Sequence, residues 1–305
     1  MPSPAADPHQ DALFREHERF LWGLSYRMTG SAADADDVVQ ETFARALATP
    51  PANTDDPWRP WLTKVALNLA RDVLRRRARD GYVGPWLPAP APTSSFEEDA
   101  NPPEARYDRF ESVTFAFLLA LEALRPRERA VLLLRDVFDY SVRETASLLD
   151  LTEANVKTTH HRARHSLDGY DRARPAKDHA SRSAIALQRF LAALAAKDGA
   201  ALEATLAAGA RAIGDGGGEF LAQRRVVERR DRVARFFLGI TRAPGEYRTS
   251  VVLVNGAVGI VVDRATKNPR LAPRTLMTCD VDDAGLITCV YSVLATRKLV
   301  ALGPG

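Results

Sequence analysis

The sequence predicts a multidomain chain in which two all-α domains precede one α+β domain, and three observations predict it. The 305 residues exceed what one core usually serves, since domains run to roughly 100–200 residues. Apolar residues recur at helical spacing through the first 170 or so positions, whereas β-branched residues alternate beyond residue 249. Between the helical parts, residues 81–103 hold six of the nineteen prolines together with Glu97, Glu98 and Asp99, a composition that reads as an extended linker. Hydrophobic residues at 46% and charged residues at 27% are ordinary for globular chains and argue against global disorder. The expected boundaries are 1–80, the linker 81–103, 104–174 and 181–305.

The first helical stretch runs from Leu13 to about Leu47, interrupted at Thr29-Gly30. Gly30 suits a helix C-cap, and Ser31-Ala-Ala-Asp34 opens the next helix as a capping box with Asp in the usual Glu position. Val39, Phe43 and Ala46 mark its buried face. A third helix spans about Pro60 to Arg79. Leu62, Val65, Ala66, Leu69 and Val73 are expected to form its apolar stripe, while Lys64, Asn68, Arg71, Arg75 and Arg79 form a basic ridge on the other side.

In the second helical part, Phe110 to Leu124 makes one helix, Pro126 to about Phe138 another with Pro in its first turn, and Ser141 to Leu167 a pair broken at Asp150-Leu151. This pair fits a helix-turn-helix. Ala146 is small where the helices touch, and Thr152 caps the second helix. Val156, His160, Ala163 and Leu167 face inward, leaving Asn155, Lys157, Thr158, His161, Arg162 and Arg164 on the outer and flanking faces. Side chains early in such a helix reach base edges and later cations reach phosphates. His160 is expected to be a partly buried packing residue. An ordinary helical hairpin with a solvated charged face is the alternative.

Past Ser181, amphipathic stretches at Ala184–Ala196, Gly199–Ala207 and Val226–Ile240 precede strands at Thr249–Val254, Val258–Asp263, Thr275–Val281 and Leu286–Leu294. Asp282 to Gly285 is the clearest hairpin turn. Helices followed by a curved antiparallel sheet indicate an α+β domain.

The net charge of +3 is a sum of opposed parts: −6 over residues 1–57, +5 over 58–80, −3 over 81–103, zero over 104–174 and +7 over 175–305. The first domain therefore has an acidic half beside a basic half. Cys279 and Cys289 are too few for a disulfide framework and lack metal-ligand spacing. They flank the hairpin turn, could lie near each other across strands, and read as buried reduced thiols. No apolar run is long enough to span a membrane and no signal peptide is evident, so a cytoplasmic location is expected. No metal, cofactor or ATP-binding loop is expected.

Asp34-Ala-Asp-Asp-Val-Val-Gln-Glu-Thr-Phe43, with Trp61-Leu62, Asn68 and Arg75-Arg-Arg77, resembles region 2 of the extracytoplasmic-function (ECF) sigma factors, and Leu124-Arg-Pro-Arg-Glu-Arg-Ala130 with the helix-turn-helix resembles their region 4. Tyr82-Val-Gly-Pro-Trp-Leu-Pro88 resembles the signature after region 2 in the SigJ-like group, which carries a C-terminal SnoaL-like domain. The resemblance implies core RNA polymerase and promoter DNA as partners. In the family the acidic helix docks on the β′ clamp helices, which maps to Asp34, Asp36, Asp37, Gln40 and Glu41. The −10 element falls to Trp58, Trp61, Lys64, Asn68, Arg71, Arg75 and Arg79, with the Asp55 to Arg59 loop holding an extruded base, and the −35 element to the helix-turn-helix residues above. Trp61 also reads as core, Trp58 as loop packing and Arg75 to Arg79 as a solvated helix end.

The resemblance further implies a cone-shaped fold for residues 181–305, shared with small isomerases and cyclases that use a perturbed Asp, often with His. No His follows His179. Asp215, Asp263 and Tyr291 remain candidates for a pocket, but no catalytic residue is assigned. Asp215-Gly-Gly-Gly218 resembles a loop motif of the SigJ-like group, with Glu219 where Lys is common; its plain reading is a flexible surface turn. Of a further group motif, Asn-Pro-Asp-Lys-Leu, only Lys298 and Leu299 are present, and no role is assigned there. Tyr82, Pro85, Trp86 and Asp215, Gly216, Gly217 and Gly218 are the expected regulatory residues, joining the last domain to region 2 and the linker. A helix-turn-helix regulator fused to a ligand-binding or catalytic SnoaL-like domain is the alternative; the acidic helix, for which such a regulator has no need, discriminates.

Overall fold

The computed structural model describes residues 8–51, 53, 57–97, 105–174, 178–241 and 246–303. Asp55 and Asp56, in the loop expected to hold an extruded base, lie outside the described residues. The chain divides into two compact units: residues 1–79, 94–112 and 120–169, and residues 80–93, 113–119 and 170–305.

In the first unit, α1 (Pro8–Thr29) ends at Gly30, whose φ of 66° needs the glycine. Helix α2 (Ala32–Ala48) starts on Ser31, whose hydroxyl accepts from the Asp34 amide at 3.2 Å. Its Ala35, Val38, Val39, Thr42, Phe43 and Ala46 are buried. Helix α3 (Trp58–Asp80) is rotated from expectation. Leu67, Ala70 and Leu74 join Leu62 and Ala66 in the core, while Val65, Leu69 and Val73 are only half-buried. The turn brings Arg77 inward and leaves Asn68, Arg75 and Arg79 exposed.

The expected Phe110–Leu124 helix is broken. A 3-10 turn covers Glu111–Val113, and α4 (Phe115–Leu121) restarts where the Thr114 hydroxyl accepts from the Phe117 amide. Helix α5 (Pro126–Asp136) begins with Pro126 as expected. Helix α6 (Val142–Leu149) carries a full capping box between Ser141 and Glu144, Asp150 closes it at φ 53°, and Thr152 caps α7 (Glu153–Ser166). Asp reaches this left-handed conformation more easily than most residues.

Two buried arginines tie the helices of this unit together. Arg27, 1% exposed, donates to Ser112 Oγ (2.9 Å) and to the carbonyls of Gly23 and Arg109 (3.0 and 3.1 Å). Arg129, 3% exposed, donates to the carbonyls of Met28 (2.8 Å) and Leu121 (2.7 Å) and to Glu122 (2.8 Å). Glu122 also accepts from Arg77, whose other nitrogen reaches the Thr29 carbonyl. A guanidinium can be buried when most of its donors are matched in this way, although Arg129 Nε has no hydrogen-bond partner among the described residues.

In the second unit, the short α8 (Asp168–Arg172) leads to α9 (His179–Ala195) and α10 (Gly199–Ala204). A six-stranded sheet follows, in the order β2-β1-β6-β5-β4-β3. Its strands are β1 (Leu206–Asp215), β2 (Val227–Glu228), β3 (Glu246–Val254), β4 (Ala257–Ala265), β5 (Arg274–Val281) and β6 (Ile287–Val293), with α11 (Arg230–Ile240) between β2 and β3. Only β1 and β6 pair in parallel, so the sheet is mixed rather than purely antiparallel. The four later strands fall where alternation puts them. Strand β1 is not predicted by the sequence: Leu206-Ala-Ala-Gly-Ala210 has poor strand formers, and pairing with β6 imposes its conformation. The β3–β4 turn, Asn255-Gly256, has φ of 54° and 74°, the positive pair a two-residue hairpin favours.

One sheet face packs Leu187, Phe190, Val233 and Phe237 of α9 and α11 against Met277, Cys279 and Val290. The other packs Leu87 and Phe115 against Val261, Leu276, Cys289, Tyr291 and Val293. The proline-rich stretch is therefore not a solvated spacer along its whole length. Leu87 and Ala91 are fully buried, Asn255 brackets Ala91 through its backbone and side chain at 3.0 Å each, and Pro92 bridges to Val254.

Cys279 pairs with Val290 and Cys289 with Asp280, so the two thiols point to opposite faces and cannot meet. Burial pushes both thiols up, Cys289 to about 12.

Three outcomes follow from this packing. Arg129→Met should strand buried carbonyls and remove half of Glu122's pairing, costing about 3 kcal/mol in the denaturant transition of the helical unit. Both thiols should resist an aromatic disulfide reagent until the sheet unfolds. Because folding raises their pKa values, their contribution is complete below the unfolded value of 9.0 and falls as pH rises toward about 12. Urea midpoints at pH 8 and 11 should therefore lie closer together in Cys289→Ala than in the parent chain.

Candidate functional site

On α2, Asp36, Asp37, Gln40 and Glu41 are exposed and Asp34 is half-buried. They stand opposite the face that Val38, Val39, Thr42 and Phe43 bury, so the helix presents a carboxylate-rich surface on a fixed base. Trp22 Nε1 donates to Asp36 at 2.7 Å, and Arg45 pairs with Glu41 at 2.8 Å. Asp37 and Gln40 have no such partner among the described residues.

The α3 ridge is only partly free. Lys64 pairs with Asp150 of the helix-turn-helix turn at 2.6 Å, Arg71 donates to Asn68 Oδ1 at 3.2 Å, and Arg75 pairs with Asp72 at 2.7 Å. Arg79 is exposed. Trp58 and Trp61 are both half-buried and meet edge to face, with centroids 6.2 Å apart. Each therefore has both a packing side and an accessible side.

On α7, Asn155, Lys157, Thr158, His161 and Arg162 are exposed, whereas Val156 and Ala163 are fully buried. Arg164 behaves differently from its neighbours: its Nε lies 3.1 Å from Asp136, a buried carboxylate on α5 that also sits 2.9 Å from His160. Asp136 thus anchors α7 to α5, which accounts for a histidine on a face that otherwise prefers leucine.

In the second unit the Asp215-Gly-Gly-Gly218 segment is built, not loose. Asp215 is 0% exposed. Its carboxylate accepts from Tyr82 Oη (2.6 Å), the Leu87 amide (2.8 Å), the Gly217 amide (3.0 Å) and Lys298 Nζ (2.6 Å). Lys298 also donates to the Leu87 carbonyl and lies over the rings of Trp86 and Tyr82, 4.5 and 4.8 Å from their centroids. Burial, with Asp215 beside it, pushes the Tyr82 phenol up. A Cβ on Gly216 would sit 2.8 Å from the Phe220 carbonyl, and one on Gly217 2.8 Å from Ala295 Cβ, so the glycines allow close packing as well as the turn. Pro85 is half-buried between Gly84 and Trp86.

Lys298 is the member of this cluster that carries no assignment from sequence. The signal for it is the retained Lys298-Leu299 pair. Of the other pocket candidates, Asp263 pairs with Arg274 at 3.2 Å, and Tyr291 donates to Asp280, which His179 approaches at 3.2 Å. Among the described residues no group of three or more His, Cys, Asp or Glu could hold a metal, and no helix is long and apolar enough to cross a membrane.

Residues 13–80 match the family described as "Sigma-70 region 2" and residues 114–167 match "Sigma-70, region 4". The chain is 35% identical over 256 residues to the ECF RNA polymerase sigma factor SigJ of Mycobacterium tuberculosis, covering 81% of this chain and 78% of that one. It is 32% identical over 161 residues to the probable ECF RNA polymerase sigma factor SigI of the same organism, covering 52% and 53%. Among solved structures it is similar to the crystal structure of Mycobacterium tuberculosis SigJ, with a TM-score of 0.73 at 27% identity over 95% of this chain and 98% of that one. Two helical sigma regions followed by an α+β domain with a mixed sheet therefore make a consistent whole, and the chain belongs to the extracytoplasmic-function RNA polymerase sigma factors.

Proposed function

We propose that the four parts of the chain divide the work of promoter recognition. The exposed face of α2, from Asp34 to Glu41, docks on the β′ clamp helices of core polymerase. The α3 ridge and the loop before it engage the −10 element, Asn155 to Arg162 on α7 read the −35 element, and residues 181–305 act as a built-in regulator rather than as an enzyme. The single observation that carries this reading is the pairing, within one helical unit, of a carboxylate face on α2 with a cationic ridge on the neighbouring α3. A free-standing repressor has use for the second but not for the first.

Two features of the structure support the finer assignments. Lys64 must leave Asp150 before it can follow a phosphate backbone, and an exposed pair of this kind resists by at most about 1 kcal/mol. Arg164, held by Asp136, serves to position α7, so Arg162 is the stronger candidate for a phosphate contact. A catalytic role for the last domain has less support. The carboxylate at the end of β1 that would face a pocket is fully occupied by Tyr82, Leu87, Gly217 and Lys298.

The same occupancy suggests how regulation is exerted. The segment after region 2 is held by the C-terminal domain through Asp215 and Lys298, so the freedom of that segment depends on a bond between residues 133 positions apart in sequence.

Charge reversal at Asp36 and Asp37 should abolish association with core polymerase in a pull-down, with an unchanged circular dichroism melt; retained association would remove the docking assignment. Lys298→Met should quicken protease cleavage between residues 82 and 92 and alter run-off transcription from a promoter library while leaving polymerase binding intact. Identical transcript output would sink the regulatory role.

A further inference from the structure

The largest positive excess in the chain, +7 over residues 175–305, lies in the domain to which no promoter element is assigned. Much of it is concentrated in one stretch. Residues 224–235 contain six arginines, Arg224, Arg225, Arg229, Arg230, Arg232 and Arg235, against two carboxylates, Glu228 and Asp231. All six arginines are exposed. Asp231 is shared between Arg229 (3.2 Å) and Arg235 (2.9 Å), which leaves Arg224, Arg225, Arg230 and Arg232 with no ion pair among the described residues.

The fold holds this charge on rigid elements. Strand β2 places Arg224 and Arg225 just before the sheet edge, and α11, anchored by the buried Val233, Ala234 and Phe237, turns Arg232 and Arg235 outward. Arg230 and Arg232 stand in the first turn of α11, where the positive end of the helix adds to their field instead of offsetting it. Such an arrangement costs stability in the free protein and is relieved by a polyanion.

We propose that the surface formed by Arg224, Arg225, Arg230 and Arg232 is a binding face for the phosphate backbone of duplex DNA, independent of base sequence. Three observations favour DNA over an acidic protein. The cations are all arginine, with no lysine between Lys197 and Lys267, and the planar fork matches phosphate in a bidentate manner. Within the stretch Val226, at 38%, is the one exposed large apolar side chain, whereas protein interfaces are organised around buried apolar or aromatic anchors. The face is covalently joined to the two DNA-reading regions, so even weak backbone contacts gain effective concentration. In this last respect the inference rests on the promoter-recognition reading above.

The test uses the full-length chain and a 40-base-pair duplex of non-promoter sequence, with affinity followed by fluorescence anisotropy across a salt series. Arg230→Glu with Arg232→Glu should weaken binding by about tenfold or more. It should also reduce the slope of log affinity against log salt by about 2, near 0.9 for each phosphate that is no longer neutralised. Arg224→Glu with Arg225→Glu provides a second pair on a separate segment, and the double Lys replacement at 230 and 232 should retain most of the slope. An unchanged slope in both reversal pairs overturns the proposal. So does loss of binding to core polymerase in the absence of DNA, which would make the face a site for an acidic protein surface. Failure of promoter-specific transcription with the salt-dependent loss intact would instead strike the sigma-factor reading and leave this face standing.

Discussion

The second unit closes around one carboxylate that water does not reach. An isolated ionised carboxylate in a protein interior is so costly that it must be paired and hydrogen-bonded or neutralised. Asp215 meets that demand with donors from three parts of the chain, two of them distant: Tyr82 and Leu87 before the second helical region, Gly217 beside it, and Lys298 near the C-terminus. Removing any one contributor leaves the others around an under-satisfied charge, so the constraint is cooperative. The proline-rich segment is thereby fixed at Tyr82 to Leu87 and again at Ala91 by Asn255. Its stiffness, which composition alone supplies, becomes a defined path.

The first unit solves the same problem with the opposite sign. Arg27 and Arg129 are buried cations whose donors go mostly to backbone carbonyls, those of Met28 and Leu121 at helix C-termini, with Glu122 supplying the formal counter-charge to Arg129 and Arg77. Helix termini leave unpaired carbonyls that need donors, and a guanidinium can serve several at once. The arrangement ties helices from both sigma regions through groups that make directional bonds. Such bonds fix geometry more sharply than apolar contact does.

Much of this is legible in the sequence, for physical reasons that can be named. Caps at Ser31, Ser141 and Thr152, and Pro126 in a first turn, are local chemistry, so they survive without knowledge of the tertiary fold. Strands β3 to β6 announce themselves by β-branched alternation. The features that sequence does not reveal share the opposite property. Strand β1 exists because β6 and β2 pair with it, not because Ala and Gly favour it. The buried face of α3 is hard to place because small and long apolar residues surround much of the helix, and only its neighbours choose among them. The two cysteines fall one register step short of facing each other, which spacing around a turn cannot reveal. For the site, residue type marks the exposed charges, but the partners that engage Lys64, Arg164 and Asp215 come from elements far off in sequence. Lys298 is visible only as a fragment of a motif.

The same distinction bears on how the charges divide. A charge that folding pairs, such as Arg77, Arg129 or Lys298, is committed to architecture and is silent toward solvent. Asp37 on α2, and the arginines at 224, 225, 230 and 232, have no such pairing among the described residues. Exposed like charges held close together repel and gain little from water at moderate salt. Their retention on rigid helices is therefore better explained by an external partner than by stability. On α2 the proposed partner is core polymerase, and on α11 the proposal that the arginines meet phosphate follows from their chemistry. The near-neutral total of +3 conceals this because opposed surfaces cancel in a sum but not in space.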